Sequence, residues 1–157
     1  MGYDFNASDI FEVAEQIERN GAEFYRTYGQ KTSDSETKKL LLDLAGMEEE
    51  HEKIFADMRA GLEAREKTAT VFDPHGESGQ YLRALADIRV FYKKEIHQES
   101  IKEVLKSAID AEKDSIVFYL GMKDMVPENQ GKRRVNDIIR EEMGHIILLS
   151  KKLSTIQ

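Results

Sequence analysis

The feature that most constrains this chain is that it matches itself. Sliding the sequence along itself by 94 positions puts Ala14 on Ala108, Glu18 on Glu112, Phe24 on Phe118 and Tyr25 on Tyr119. The same shift, with no gap, puts Leu44 on Ile138, Glu48 on Glu142, His51 on His145, Ile54 on Leu148 and Phe55 on Leu149. The chain is therefore read as two copies of one unit. In each copy a Glu is followed thirty residues later by a Glu-x-x-His: Glu18 then Glu48 and His51, Glu112 then Glu142 and His145. Residues three apart on a helix share a face, so each Glu-x-x-His can aim a carboxylate and an imidazole at one point.

Apolar spacing puts these residues on four long helices. The first, capped by Asn6 or Ser8, runs to about Gln30 with Ile10, Val13, Ala14, Ile17, Gly21, Phe24 and Tyr28 inward and with Glu18 and Tyr25 at the stripe's edge. After a break at 31–35 the second, capped by Ser33, Asp34 or Ser35, runs to about Gly61 with Leu40, Leu41, Leu44, Met47, His51, Ile54, Phe55 and Met58 on one face. The third spans about Ser100 to Met125, with Pro127 as a stop signal, and the fourth about Asn129 to Leu153. Residues 62–99 carry turn residues, and Ser78 is placed as the cap of a shorter helix through Tyr81, Leu82, Leu85, Ile88 and Phe91. Short breaks make antiparallel hairpins. A long segment between two hairpins is the crossover of an all-α four-helix bundle. The 157 residues suit a single domain with a substantial core.

Composition then narrows the chemistry. There is no cysteine, which excludes disulfides, zinc–thiolate sites and rubredoxin-type iron, so any metal must be held by Asp, Glu and His. A net charge of −7 without a basic stripe argues against nucleic acid. No apolar run approaches the length of a membrane span, and the first residues lack the basic and apolar regions of a secretory signal. The expected location is the cytoplasm, with no membrane partner.

One Glu from each of two helices, with a Glu-x-x-His from each of the other two, is the ligand arrangement of carboxylate-bridged di-iron and di-manganese bundles. Two divalent ions a few ångströms apart repel. Four carboxylates cancel four positive charges, and two neutral imidazoles complete the shells. This mix of oxygen and nitrogen donors suits iron or manganese. Glu18, Glu48, His51, Glu112, Glu142 and His145 are the expected ligands, with Glu48 and Glu142 bridging and Glu18 and Glu112 terminal. Tyr25 and Tyr119 are candidates for hydrogen bonds that hold a ligating carboxylate in place, although an aromatic on a core face is as often simple packing. A lone Glu-x-x-His in a Glu-rich helix usually marks a solvated face. Glu49, Glu50, Glu52 and Glu141 are read that way, and His75 and His97 as exposed residues rather than ligands.

Ile17-Glu18 with Gly21, Phe24 and Tyr25, then Glu48-Glu49-Glu50-His51-Glu52-Lys53, resemble the rubrerythrin branch of the ferritin-like superfamily. Glu112, Tyr119, Glu142 and His145 match the second half of that pattern. The resemblance covers nearly all of the chain except the crossover. It implies a ferritin-like fold, two iron ions (manganese or zinc as substitutes), reaction with peroxide or dioxygen, an external electron donor, and a homodimer or higher homo-oligomer. Two departures matter. Typical rubrerythrins add a rubredoxin-like domain with four Cys, and this sequence has none. They also carry an extra Glu three residues after the terminal Glu of the third helix, where this chain has Ser115. The implied site is closer to the symmetrical ferroxidase centre of bacterioferritins. Iron storage or delivery, and metal binding without turnover, are the competing expectations.

Overall fold

Three of the four long helices start where a side chain takes up an unpaired backbone N–H. In the computed structural model, which describes residues 6–62, 77–87, 100–126 and 129–156, Asn6 closes a capping box. The Asp9 N–H donates to Asn6 Oδ1 at 2.9 Å, and the Asn6 N–H donates to Asp9 Oδ2 at 3.1 Å. Helix α1 follows over Ala7–Lys31. Asp34 accepts from the Thr37 N–H at 2.9 Å and opens α2, Ser35–Ala60. The crossover contains α3, Glu77–Asp87. Ser100 accepts from the Glu103 N–H at 3.2 Å and opens α4, Ile101–Lys123. The last helix, α5, spans Asn129–Ser154. No strand occurs among the described residues, and no helix there is long and apolar enough to cross a membrane.

The four long helices fall close to their expected bounds. Helix α3 begins at Glu77, so Ser78 lies inside its first turn and is not the cap. Ile88, Phe91, His75, His97 and Pro127 lie outside the described residues.

The hairpins α1/α2 and α4/α5 each pack along their length, and contacts of α1 with α4 and of α2 with α5 close the bundle. The architecture is the ferritin-like four-helix bundle with a crossover connection. Helix α3 leans on α4, with Tyr81 and Leu82 directly over Gly121. Two apolar clusters fill the interior. One gathers Ile10, Phe11, Phe55, Phe118, Met122 and Ile138 with their neighbours, and the other Leu41, Leu44, Leu105, Ala108 and Leu149. Each large side chain buried there contributes about 1.5–3 kcal/mol. Glu18, Glu48, Glu112 and Glu142, belonging to neither cluster, are nonetheless as buried as the core. Met47, expected inward, is 41% exposed. Its helix turns Leu44, Glu48, His51 and Phe55 inward, which leaves Met47 off that face.

Candidate metal centre

All six residues expected from the repeat meet in the middle of the bundle, one from each of α1 and α4 and two from each of α2 and α5. None is more than 2% exposed. Their donor atoms form two overlapping sets, each within 4.8 Å: Glu18, Glu48, His51 and Glu142, and Glu48, Glu112, Glu142 and His145. Glu48 and Glu142 belong to both sets. Each of the other four belongs to one.

Four of the inner contacts repeat in distance as the residues do in sequence; a fifth, His145 Nδ1 to Glu142 Oε2 at 3.0 Å, occurs in one half only among the described residues. His51 Nδ1 lies 3.0 Å from Glu142 Oε1, and His145 Nδ1 lies 3.0 Å from Glu48 Oε1. His51 Nδ1 is 3.4 Å from Glu18, and His145 Nδ1 is 3.4 Å from Glu112. The two imidazole rings lie nearly parallel, 5.7 Å apart.

The donor set fits a pair of cations. Among the described residues, one buried oxygen on each of the four carboxylates, Glu18 Oε2, Glu48 Oε1, Glu112 Oε2 and Glu142 Oε2, has no hydrogen-bond partner, and nor does His145 Nδ1. Burying such groups unpaired costs on the order of 1–3 kcal/mol each, and more when charged. Without cations, protons would have to offset the mutual repulsion of these carboxylates. Burial, and then the charges of Glu142, Glu18 and Glu112, raise Glu48 well above the usual carboxylate range. Burial, then Glu18 and Glu112, do the same to Glu142. Burial opposes ionisation of Glu112, yet hydrogen bonds with Glu142 and His145 hold it below its ordinary value. Burial would lower both imidazoles, but the carboxylates outweigh it. His51 is pushed up to about 12 by Glu142 and Glu18, and His145 up to about 9 by Glu112 and Glu142.

Both tyrosines do hold carboxylates, and they do so crosswise. Tyr25 on α1 donates to Glu112 Oε1 on α4, and Tyr119 on α4 donates to Glu18 Oε1 on α1. Burial first, and then the charge of the partner Glu, raises both phenols well above their ordinary value, so they remain donors at any ordinary pH. Helical spacing placed each Tyr near the Glu of its own helix; packing pairs it with the Glu of the other hairpin.

Three further residues shape the site. Glu141, read from sequence as part of a solvated face, has Oε2 2.6 Å from His51 Nε2. The repeat could not flag it, because the matching position is Met47. Gly21 is needed for its missing side chain: a Cβ there would lie 2.9 Å from Glu48 Oε2. A glycine deep inside a long helix was the available signal. Ser115, which matches Gly21 in the repeat, is buried and donates its hydroxyl to the Ala111 carbonyl at 3.0 Å. Of the other Glu residues read as solvated, Glu52 pairs with Arg19 at 2.6 Å, Glu49 with Arg26, and Glu50 with Lys53 at 3.3 Å. Such surface pairs contribute little.

A helical bundle whose core holds four carboxylates and two imidazoles, arranged for two ions, defines a ferritin-like carboxylate protein with a di-metal site. The chain matches the rubrerythrin family over residues 9–153 and belongs to it. In structure it is similar to a Thermotoga maritima protein described as a ferritin-like diiron-carboxylate protein, with 27% identity, a TM-score of 0.72 and 98% of each chain covered. No protein of curated function matches the sequence.

Proposed function

We propose that the chain is a non-haem di-iron protein that reacts with hydrogen peroxide or dioxygen, as an oxidoreductase or ferroxidase. The observation that carries this is the pair of donor sets sharing Glu48 and Glu142, each completed by one Glu and one His. In this reading Glu48 and Glu142 bridge, Glu18 and His51 hold one ion, and Glu112 and His145 hold the other. Two ferrous ions held there would supply the two electrons that reduce hydrogen peroxide to water. The chain's own part is to fix the geometry. Tyr25 and Tyr119 lock the terminal carboxylates, and the apolar clusters at either end keep bulk water away. Ser115 adds no carboxylate, which leaves the ligand set balanced. Electrons to reset the centre would come from a donor outside these 157 residues, which contain no cysteine to hold rubredoxin-type iron. A homo-oligomer in the cytoplasm is the setting that fits the resemblance.

The test is metal analysis of anaerobically loaded protein followed by stopped-flow mixing with peroxide and with oxygen. The expected result is two irons per chain and loss of the ferrous form with either oxidant. Glu48→Ala and Glu142→Ala should each lower the metal count sharply; full occupancy in both would show that these residues do not bridge. Manganese or zinc in the isolated protein, with no redox turnover, would favour a binding role. A large hollow assembly on size-exclusion chromatography would favour storage.

A further inference from the structure

The repeat that matches the six inner residues breaks immediately outside them. Glu141 reaches from α5 across to α2, and its carboxylate lies 2.6 Å from the outer ring nitrogen of His51. The operation that takes His51 to His145 takes Glu141 back to Met47. A thioether is at best a weak acceptor. Nε2 of His145 is accordingly buried with no hydrogen-bond partner among the described residues. The contacts of each imidazole with the bridging carboxylate of the other hairpin and with its terminal Glu agree at 3.0 Å and 3.4 Å. His145 adds a contact to Glu142 at 3.0 Å, and among the described residues only His51 has an outer partner.

We propose that Glu141 is a positioning residue that makes the two halves of the centre unequal, so that the ion held by Glu18 and His51 binds ahead of the ion held by Glu112 and His145. This rests on the dinuclear reading given above. A carboxylate accepting from Nε2–H leaves the Nδ1 lone pair free to face the ions, fixes the plane of the ring and makes the nitrogen a stronger donor. Losing such a partner typically costs about 10–100-fold in metal affinity. Glu141 is 59% exposed, so solvent screens its charge, and the effect belongs at the lower end of that range. The imidazole of His145 has no such support. Its proton must settle on Nε2, away from the ions, without a partner to receive it.

The experiment uses the metal-free full chain labelled with ¹⁵N at histidine, titrated with Zn(II) and followed by NMR, with affinities from a competing chelator. Four histidines keep the spectrum assignable. The His51 ring nitrogens should move during the first equivalent and those of His145 during the second. Glu141→Ala, an exposed change in mid-helix, should weaken the first step about tenfold and erase the order. Met47→Glu should tighten the second step and narrow the gap from the other side. Simultaneous or reversed filling in the unaltered chain, or an order that survives Glu141→Ala, would overturn the proposal. Failure to bind two Zn(II) at all would instead overturn the dinuclear reading beneath it.

Discussion

Gly21→Ala should make the empty protein more stable and the loaded protein worse. Gly21 is buried in the middle of α1. Replacing a helical glycine by alanine removes backbone freedom from the unfolded chain and stabilises by about 0.5–1 kcal/mol. For a chain of this size that is a rise in Tm of roughly 1–4 °C. The new methyl, however, would stand 2.9 Å from Glu48 Oε2, where ordinary contact begins at 3.4 Å. The carboxylate must retreat by about half an ångström, whereas metal–ligand distances tolerate about ±0.2 Å. In the metal-free state Glu48 can swing aside; as a bridge it cannot. The expected loss is on the order of tenfold or more in affinity, about 1.4 kcal/mol, which is also what a saturating ligand would cease to add to stability. Gly46→Ala and Gly144→Ala are the controls, since a Cβ at either meets nothing within 4 Å. Both should stabilise without touching the metal. The assay is thermal unfolding with and without metal, beside calorimetric titration. Unchanged affinity in Gly21→Ala would show that Glu48 does not need its observed position, and the bridging argument would fail with it.

Tyr119→Phe removes the donor to Glu18 Oε1, and Tyr25→Phe the donor to Glu112 Oε1; each should lower the melting stability of the loaded protein by about 1–3 kcal/mol, and superimposable unfolding curves would refute the role. The metal-free protein should lose stability in alkali. The folded value of His145, about 9, exceeds the ordinary 6.5, so its contribution is complete below about pH 6.5 and lost as pH rises through 9. At about 1.36 kcal/mol per unit that is on the order of 3 kcal/mol, Glu48 and Glu142 act in the same direction, and a flat or rising Tm between pH 6.5 and 9.5 would contradict it. Metal binding displaces these protons, so affinity should rise over the same range. Ser115→Glu puts a carboxylate one turn from Glu112, and stopped-flow oxidation should show a higher ratio of peroxide to dioxygen rates; an unchanged ratio with the new side chain at the metals would refute the idea that this position sets the oxidant preference.

The helices and the six inner residues were legible because both follow from periodicity. A buried stripe must recur every three or four residues, and a repeat preserves whatever sits on it. Glu18, Glu48, Glu112 and Glu142 stood out because the same Glu and Glu-x-x-His recur, without a gap, 94 residues apart. What stayed hidden depends on distances between helices. Nothing in the spacing of Tyr25 and Glu18 says that Tyr25 belongs to Glu112, because one helix face can look across the bundle at either of two others. Glu141 looked like its neighbours on a charged face, and its role appears only once α5 is laid against α2. Met47 was placed inward on spacing alone, but the inner face of its helix is already taken by Leu44, Glu48 and His51.

The direction of the polar contacts bears on how such a centre can exist at all. Among the described residues, every side-chain hydrogen bond between a cluster residue and its surroundings runs from one hairpin to the other: Tyr25 donates to Glu112, Tyr119 donates to Glu18, and Glu141 accepts from His51. So do the closest contacts between imidazole and bridging carboxylate across the pair, His51 to Glu142 and His145 to Glu48. A single hairpin would bring a Glu, a Glu-x-x-His and a Tyr together with only the contacts of its His to its own carboxylates, at a cost its own apolar contacts would have to offset. Docking the second hairpin supplies the tyrosine donors and the second bridging carboxylate in one step. It also closes the two apolar clusters, whose members come from both hairpins. Assembly of the site and assembly of the core are therefore one event. A change that only loosens the packing between hairpins, such as Phe55→Ala beside Tyr119, must reach the metals through the tyrosine and Glu18 even though it touches no ligand.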